Sequence, residues 1–425
     1  MTEVRVEPTA PQRLTDIAAT VQAPSVAGRG SNPVVLIAST CAWPSVPKLA
    51  IALARASCEV VSVAPAQHPL NLTLAVSRRL RYRATRPLQS LTEAIALTRP
   101  DLIVPCDERA VEHLHRLYAR SADAGIRDLI ARSLGRPDSH AAASSRQALM
   151  ALAGEHGVLT PATLAVDSLA DLRAWAEPLP WVLKADGSWG GLGVRIVSTL
   201  AQAEAAYREL SRSIRPLFAL RRFLLARDPF WLTPWLHSPP RRITVQRYVE
   251  GRPANCVIAA WNGEALGGIA VEVVASDGET GPASIVRLTQ DSRMLAGAGR
   301  IVQVLGLSGM VGFDFVVETA TGRPFLLEMN PRATPICHLR LGAGRDPVGE
   351  LVARASGLPP PIHPAETACD TIALFPQADL QFGGQAILAS AYRDTPFQEP
   401  QLVKAAMRRW IRKKAAATFG SSTPE

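Results

Sequence analysis

The sequence predicts an α/β region followed by an α+β region, and three observations carry that expectation. Short apolar runs alternate with helical patterns between residues 33 and 120, as parallel β–α units do. Strand-like runs then dominate from residue 243 to 274. Finally, residues 310–330 read as a hairpin whose two arms each alternate in face and place acidic residues among apolar ones.

The totals suit such a protein. A chain of 425 residues has room for two to four domains, and a hydrophobic fraction of 47% with 20% charged residues is that of an ordinary globular protein with a sizeable core. The formal net charge of +9 favours anionic partners such as nucleotides, nucleic acid or anionic lipid, though the excess is modest for a dedicated nucleic-acid binder. Cys41, Cys58, Cys106, Cys256, Cys337 and Cys369 form no CxxC pair, which argues against a zinc site and fits a reducing cytoplasm. Glu3, Arg5 and Glu7 interrupt the N-terminus, so no secretory signal is expected, and no charge-free apolar run approaches the roughly 18 residues of a membrane span.

Residues 1–31, rich in Ala, Pro, Thr and Ser, read as a flexible arm. Over 32–140 the runs 34–38, 59–64 and 101–105 suit buried parallel strands, with helical patterns at 48–57, 91–98 and 109–118. Ser90 and Glu93 read as a capping box for the second helix. The arrangement is Rossmann-like, but Ser39-Thr40-Cys41-Ala42-Trp43-Pro44 follows the first strand in place of GxGxxG, so a dinucleotide site is not expected. Over 141–246 the reading is a helix at 141–160 stopped near Gly154 and Gly157, a short strand after Pro161, and a helix capped by Ser168 and Asp171. A strand at 181–184, a glycine-rich stretch, a strand at 194–197 and a helix capped by Thr199 and Gln202 follow. In 212–242 arginines interleave with Phe218, Phe223, Phe230, Trp231 and Trp235, and the segment reads as an insertion. Over 247–360 come strands at 256–261 and 265–274 (after one at 243–249), a helix at 291–305 and the hairpin. The extension 361–425 holds a strand-like stretch at 370–375 and a basic helix at 402–414.

Two features carry chemistry. Gly187 to Gly193 lie between strand-like runs, so the stretch is no P-loop; its backbone N–H groups suit closure over phosphates, with Lys184 as a point cation at the end of the preceding strand. The hairpin is the stronger signal. A five-residue connection at 319–323 sets Asp314 across from Glu328, on the face shared with Asn330, while Phe313, Phe315 and Val317 take the other face; Phe325, Leu327 and Met329 likewise share a face opposite Leu326 and Glu328. Facing carboxylates among apolar residues repel, and a hard divalent cation resolves that cost. Arg332, two residues on, offers a rigid fork for phosphate.

Leu327-Glu328-Met329-Asn330-Pro331-Arg332, preceded by Gly312-Phe313-Asp314-Phe315, resembles the metal-binding core of the ATP-grasp superfamily. The glycine stretch after Lys184 is similar to that superfamily's glycine hairpin, and Gln246-Arg247-Tyr248-Val249-Glu250-Gly251 resembles its adenine-holding hinge. The resemblance covers roughly residues 33–350 and implies a Rossmann-like pre-ATP-grasp domain followed by a two-lobed ATP-grasp fold, with the small lobe at 141–246 and the large lobe at 247–360. It implies ATP and Mg²⁺ (or Mn²⁺) as cofactors, the metal held by Asp314, Glu328 and Asn330. Arg146 (where many members have lysine), Lys184, Gly190, Gly191 and Gly193 would serve the phosphates; Gln246 would face the adenine amino group and Val249 would bond the ring through its backbone. Arg332, Arg287 and Lys184 would act on the transferred phosphate or the substrate. The activity implied is a ligase that turns a carboxylate into an acyl phosphate for attack by an amine, or alternatively a thiol. Gln246 stands where an acid is common and Pro253 where a ribose-contacting glutamate is common, which leaves nucleotide preference and the ribose contact open. His338 either lines the acceptor site with Arg340 or packs in a loop, and Cys337 reads as a small buried residue.

Other readings stand beside this one. The same fold without turnover is a nucleotide sensor. The net charge of +9 and the aromatic–arginine insertion allow a peripheral membrane or nucleic-acid binder, whereas the tail cluster of Lys404, Arg408, Arg409, Arg412, Lys413 and Lys414 lies on a helix without a broad apolar stripe. The favoured reading of the insertion is an extra helical pair or a homodimer contact. The expected partners are small-molecule substrates, with no specific nucleic acid.

Overall fold

The computed structural model describes residues 32–143, 145–185, 193–211, 242–278 and 281–418. The expected arm at 1–31, Gly190 and Gly191, and the insertion up to residue 241 lie outside these, as do the side chains of Arg409, Arg412, Lys413 and Lys414.

The first unit comprises β1 (Val34–Ala38), α1 (Val46–Arg55), β2 (Glu59–Ala64), β3 (Arg78–Arg81), α2 (Pro87–Thr98), β4 (Leu102–Pro105), α3 (Glu108–Arg120) and α4 (Ala124–Leu134). Its strands form a parallel sheet in the order β3-β2-β1-β4, as the buried apolar runs required. Strand β3 escaped the sequence reading because Arg78-Arg79-Leu80-Arg81 is an exposed edge without an apolar stripe. The capping box at Ser90 is corrected: Pro87 opens α2 a turn earlier, and Ser90 Oγ instead donates to Arg86 O at 2.9 Å. The order reverses between β1 and β4, where Rossmann-like sheets bind ligands. There the Asp107 carboxylate accepts Thr40 N–H at 2.6 Å and Cys41 N–H at 3.4 Å, so the loop that lacks GxGxxG directs these amides to a side chain.

The chain then forms α5 (His140–Ala143) and α6 (Arg146–Glu155) in place of one long helix; Ser145 caps α6 and breaks the run. β5 (Thr163–Val166), α7 (Leu169–Ala174), β6 (Trp181–Ala185), β7 (Val194–Val197), α8 (Leu200–Leu210) and β8 (Ile243–Arg247) build an antiparallel sheet in the order β5-β8-β6-β7. The Ser168–Asp171 capping box is present at α7, and Thr199 caps α8. Leu183, Ala185, Ile243 and Val245 pack against Leu172, Ala203 and Leu210 of the two helices. The alternate residues Val182, Lys184, Thr244 and Gln246 therefore share the opposite face.

The largest sheet has seven strands, β9 (Gly251–Trp261), β10 (Glu264–Ser276), β11 (Ala283–Leu288), then, after α9 (Ser292–Leu305), β12 (Gly309–Glu318) and β13 (Pro324–Asn330). It does not stop near Pro359. After α10 (Pro347–Ser356), β14 (Thr371–Ala373), α11 (Gln377–Phe382), α12 (Ala386–Ser390) and β15 (Tyr392–Arg393) extend it, giving the order β13-β12-β9-β10-β11-β14-β15, and α13 (Pro400–Thr418) ends the described chain. One face, with Cys256, Ile258, Phe313 and Phe315, packs on Met150 of α6 and Ile301 of α9. The other, with Val257, Val271 and Val286, packs on Leu49 of α1, Leu351 of α10 and Ile336. The two sheet units thus share a core across the 33–120 region and the C-terminal extension. Among the described residues no helix is long and apolar enough to cross a membrane.

Candidate functional site

The hairpin β12–β13 sets Gly312 opposite Asn330 and Asp314 opposite Glu328, the register the alternation required. One detail differs. Phe315 pairs with Leu326, so Leu327 is the extra residue of a β-bulge. The bulge turns Leu326, rather than Leu327, onto the apolar face with Phe315 and Met329, while Glu328 stays with Asp314. Gly312 is needed for the turn that follows: a Cβ there would lie 2.2 Å from Thr334 Cγ2, in the loop that carries Arg332.

Around the two acids the structure gathers residues from four elements. Asn330 Nδ2 donates to Asp314 Oδ2 at 3.0 Å, and Asn255 on β9, Asp314's partner in register, donates to Oδ1. Burial first, and the facing Glu328 second, push the Asp314 carboxyl up to about 6. Glu328 is enclosed by neighbours yet keeps 34% of its side-chain surface exposed. Burial raises its pKa, but Arg146 and Lys184 outweigh that and hold it below the usual carboxylate range. Arg146, at the first turn of α6, reaches it at 2.7 Å. Lys184 is 7% exposed and sits within the fields of Arg146, Glu328 and Asp314; burial, then Arg146, lower it to about 8. Lys184 and Arg146 are therefore neighbours at one carboxylate.

Arg332 Nε donates to Glu108 Oε1 at 2.7 Å and Nη2 to Asn330 Oδ1 at 3.1 Å. Burial opposes its charge, but Glu108 overrides that and raises its pKa. Glu108 opens α3 of the first unit, so an ion pair joins the parallel-sheet unit to the hairpin. Among the described residues no group of three or more His, Cys, Asp or Glu side chains is placed to hold a metal ion; the cluster here comprises two carboxylates and the Asn330 amide.

The small sheet adds its own face. Gln246 is fully buried; its Nε2 donates to Thr163 Oγ1 at 3.0 Å, and its Oε1 is a buried acceptor with no partner among the described residues. Val249 is 7% exposed in the connection from β8 to β9. Gly193 closes the β6–β7 hairpin, its carbonyl accepting Ala185 N–H at 2.9 Å, while Gly190 and Gly191 lie outside the described residues.

Arg287 is not brought to this site. The register runs Asp314–Asn255–Val271–Leu288 across the sheet, so Arg287, next to Leu288, lies on the opposite face with Glu272, and it is exposed. Its position near a strand end in sequence carried no information about parity relative to β12. Three residues escaped the sequence reading: Asn255, Glu108 and Thr163. A lone amide in an apolar strand marks Asn255, but only the pairing of β9 with β12 gives it meaning. Cys337 is buried as expected. His338 is buried beside Asp394 rather than near Glu328 or Asp314 in any contact.

Residues 233–335 match the ATP-grasp domain family. Comparison with curated proteins gives no match. Among solved structures, the chain is similar to an L-amino acid ligase from Bacillus licheniformis at 13% identity, TM-score 0.52, over 76% of this chain and 75% of that one. N5-carboxyaminoimidazole synthetase from Staphylococcus aureus, complexed with ADP, aligns at 11% identity and TM-score 0.56, over 78% and 79% of the two chains. Biotin carboxylase from Campylobacter jejuni aligns at 15% identity and TM-score 0.53, over 77% and 72%. The chain carries an ATP-grasp domain, and its fold is a Rossmann-like unit joined to the ATP-grasp architecture.

Proposed function

We propose that the protein is an ATP-dependent ligase that activates a carboxylate as an acyl phosphate for attack by an amine. The observation that carries the reading is the register of Asp314 against Glu328, flanked by Asn330 and faced by Lys184, Arg146 and Arg332. Two acids pushed together in a core have an electrostatic cost that a divalent cation removes, and hard oxygen donors suit Mg²⁺. Asp314, Glu328 and Asn330 would hold it; when bound it neutralises phosphate charge and orients the nucleotide. For Asn330 to serve, its carbonyl must be shared with Arg332, which it faces in the structure.

This chain's own groups then divide the work. Lys184 and Arg146 place positive charge beside Glu328, where anionic phosphates are neutralised. The unpaired Gln246 Oε1 is an acceptor suited to an exocyclic amine, which supports adenine over a base with a carbonyl there. Arg332 presents a planar fork held in place by Glu108, suited to the tetrahedral, anionic stage of acyl transfer. Positioning and charge neutralisation suffice for such a transfer, without a nucleophilic side chain. The similar solved structures include an L-amino acid ligase, a synthetase complexed with ADP and a biotin carboxylase complexed with βγ-ATP, which supports the same reading.

The test is ADP release with a panel of carboxylic acids and amines, comparing wild type with Glu328→Ala. Substrate-dependent release in the wild type alone is expected. Equal release in both refutes the ligase, and Mg–ATP binding without turnover under any acid replaces it with a nucleotide sensor.

A further inference from the structure

Between β2 and β3 the chain crosses the edge of the parallel sheet and turns part of its apolar content outward. Leu70, Thr73 and Val76 are buried, Leu70 and Val76 in the core that α1 covers, whereas Leu72 and Leu74 face solvent, Leu74 being 86% exposed. The backbone between them is pinned. Thr73 Oγ1 donates to Glu399 Oε1 at 2.7 Å, and Arg79 Nη2 donates to Thr73 O at 2.7 Å. The bond to Glu399 brings in a third apolar residue, because Phe397 lies two residues before it and is 62% exposed. Exposed leucines scattered singly need no explanation, but three large apolar side chains held out within two residues of one buried hydrogen bond mark a contact surface.

Positive charge borders these residues. Glu399 directly precedes α13, which packs on the turn at Pro69–Asn71. Residues 400–418 include six Lys or Arg and no Asp or Glu. Leu402 and Ala406 are buried, which leaves Lys404, Arg408 and Ile411, at i, i+4 and i+7, on the outward face of the helix. The acids nearby are already taken up: Glu399 is buried against Thr73, and Asp379 pairs with Arg393.

We infer that this face binds an anionic lipid surface, with Leu72, Leu74 and Phe397 entering the boundary between headgroups and acyl chains while Lys404, Arg408 and Arg79 meet the headgroup charge. Three arguments select lipid. Leu74 stands almost free of the protein instead of lining a groove, so it is shaped to enter a soft phase and not to receive a partner's side chain. A nucleic acid would satisfy the cations and leave both leucines in water. A second copy meeting this face symmetrically would bring two basic helices together. Among the described residues no helix is long and apolar enough to cross a membrane, so the contact is interfacial. The basic helix has no broad apolar stripe of its own; the 72–74 loop, joined to it through Glu399, supplies the apolar part from a distant stretch of sequence. None of the nucleotide-site residues takes part, so the inference stands apart from the ligase reading.

The experiment is sedimentation of the full chain with vesicles of phosphatidylcholine, alone and with about 30% phosphatidylglycerol. Binding to the anionic vesicles at least about 10-fold tighter than to the neutral ones is expected, falling several-fold at high salt. Leu72→Ser/Leu74→Ser weakens it about 10-fold, and Lys404→Gln/Arg408→Gln weakens it about 10-fold on the anionic vesicles alone. All four side chains are exposed, so folding is spared, and an unchanged circular dichroism spectrum checks that. Leu200→Ser, at the start of α8, and Arg120→Ala, at the exposed end of α3, change nothing. Failure to sediment with anionic vesicles, equal binding to both compositions, or binding indifferent to both double variants overturns the inference. Oligonucleotide binding or self-association that is lost in Lys404→Gln/Arg408→Gln, found without vesicle binding, overturns it in favour of nucleic acid or a second copy.

Discussion

The β12–β13 hairpin and the β6–β8 pair both present polar groups on one face of an otherwise apolar sheet, but they do so at different cost. The hairpin opposes two carboxylates, Asp314 and Glu328, and relies on Arg146, Lys184 and paired amides to keep them charged. The small sheet presents one lysine and one neutral amide, with Thr163 satisfying half of the Gln246 side chain. The difference teaches what each sheet can contribute. A site that gathers like charges is completed by a cation, whereas a lone orphaned carbonyl is completed by a donor N–H and serves selectivity.

Perturbing the two sheets separately should expose that division, and the largest effect belongs to the hairpin. Glu328→Ala removes a proposed metal donor and strands Arg146, and a loss of roughly 100- to 1,000-fold in kcat/KM for ADP formation is expected. A steady-state assay with saturating Mg²⁺ checks it; a loss below 10-fold would move the chemistry away from the hairpin. Lys184→Met keeps the stem and removes the charge, and should cost about 100-fold, mostly in kcat, if the lysine acts on developing charge. A change confined to the KM of ATP would reduce it to a binding contact.

Gln246→Ala should be milder, about 10-fold in the KM of ATP with kcat nearly kept, because one hydrogen bond is lost. The sharper readout is the ATP-to-GTP ratio, which should collapse toward unity; an unchanged ratio would place the adenine amino group elsewhere. Arg287→Ala comes last, with activity expected within about 2-fold of wild type, since the register puts Arg287 on the far face of the sheet. A large loss there would break the face assignment on which the comparison rests.

Much of this site was legible because its signal is local. Alternation fixes parity within one strand, so 21 residues of sequence, 310–330, were enough to put Asp314, Glu328 and Asn330 on one face; the five-residue connection at 319–323 does not set their register, since Val317 pairs with Pro324 and the bulge at Leu327 is what brings Asp314 opposite Glu328. The β-bulge at Leu327 was not legible, since both registers satisfy the apolar pattern near the turn. Lys184 and Arg146 came from the resemblance rather than from spacing. Asn255, Glu108 and Arg287 depend on which strands become neighbours across the sheet, and a single sequence carries no such pairing. The parallel unit followed the same rule. Its buried strands were plain, while the arginine-rich edge strand β3 and the early start of α2 at Pro87 were decided by neighbours and by one proline. The C-terminal strands β14 and β15 are too short, at three and two residues, to show any period.

The central claim is that the hairpin holds a magnesium–nucleotide complex. Calorimetric titration of ATP with and without Mg²⁺, on wild type and on the Asp314→Asn/Glu328→Gln double variant, tests it most directly. The account predicts that Mg²⁺ tightens ATP binding at least about 10-fold in the wild type and has no such effect in the variant. ATP binding that is equally tight with and without Mg²⁺, and unchanged by the double substitution, would contradict it.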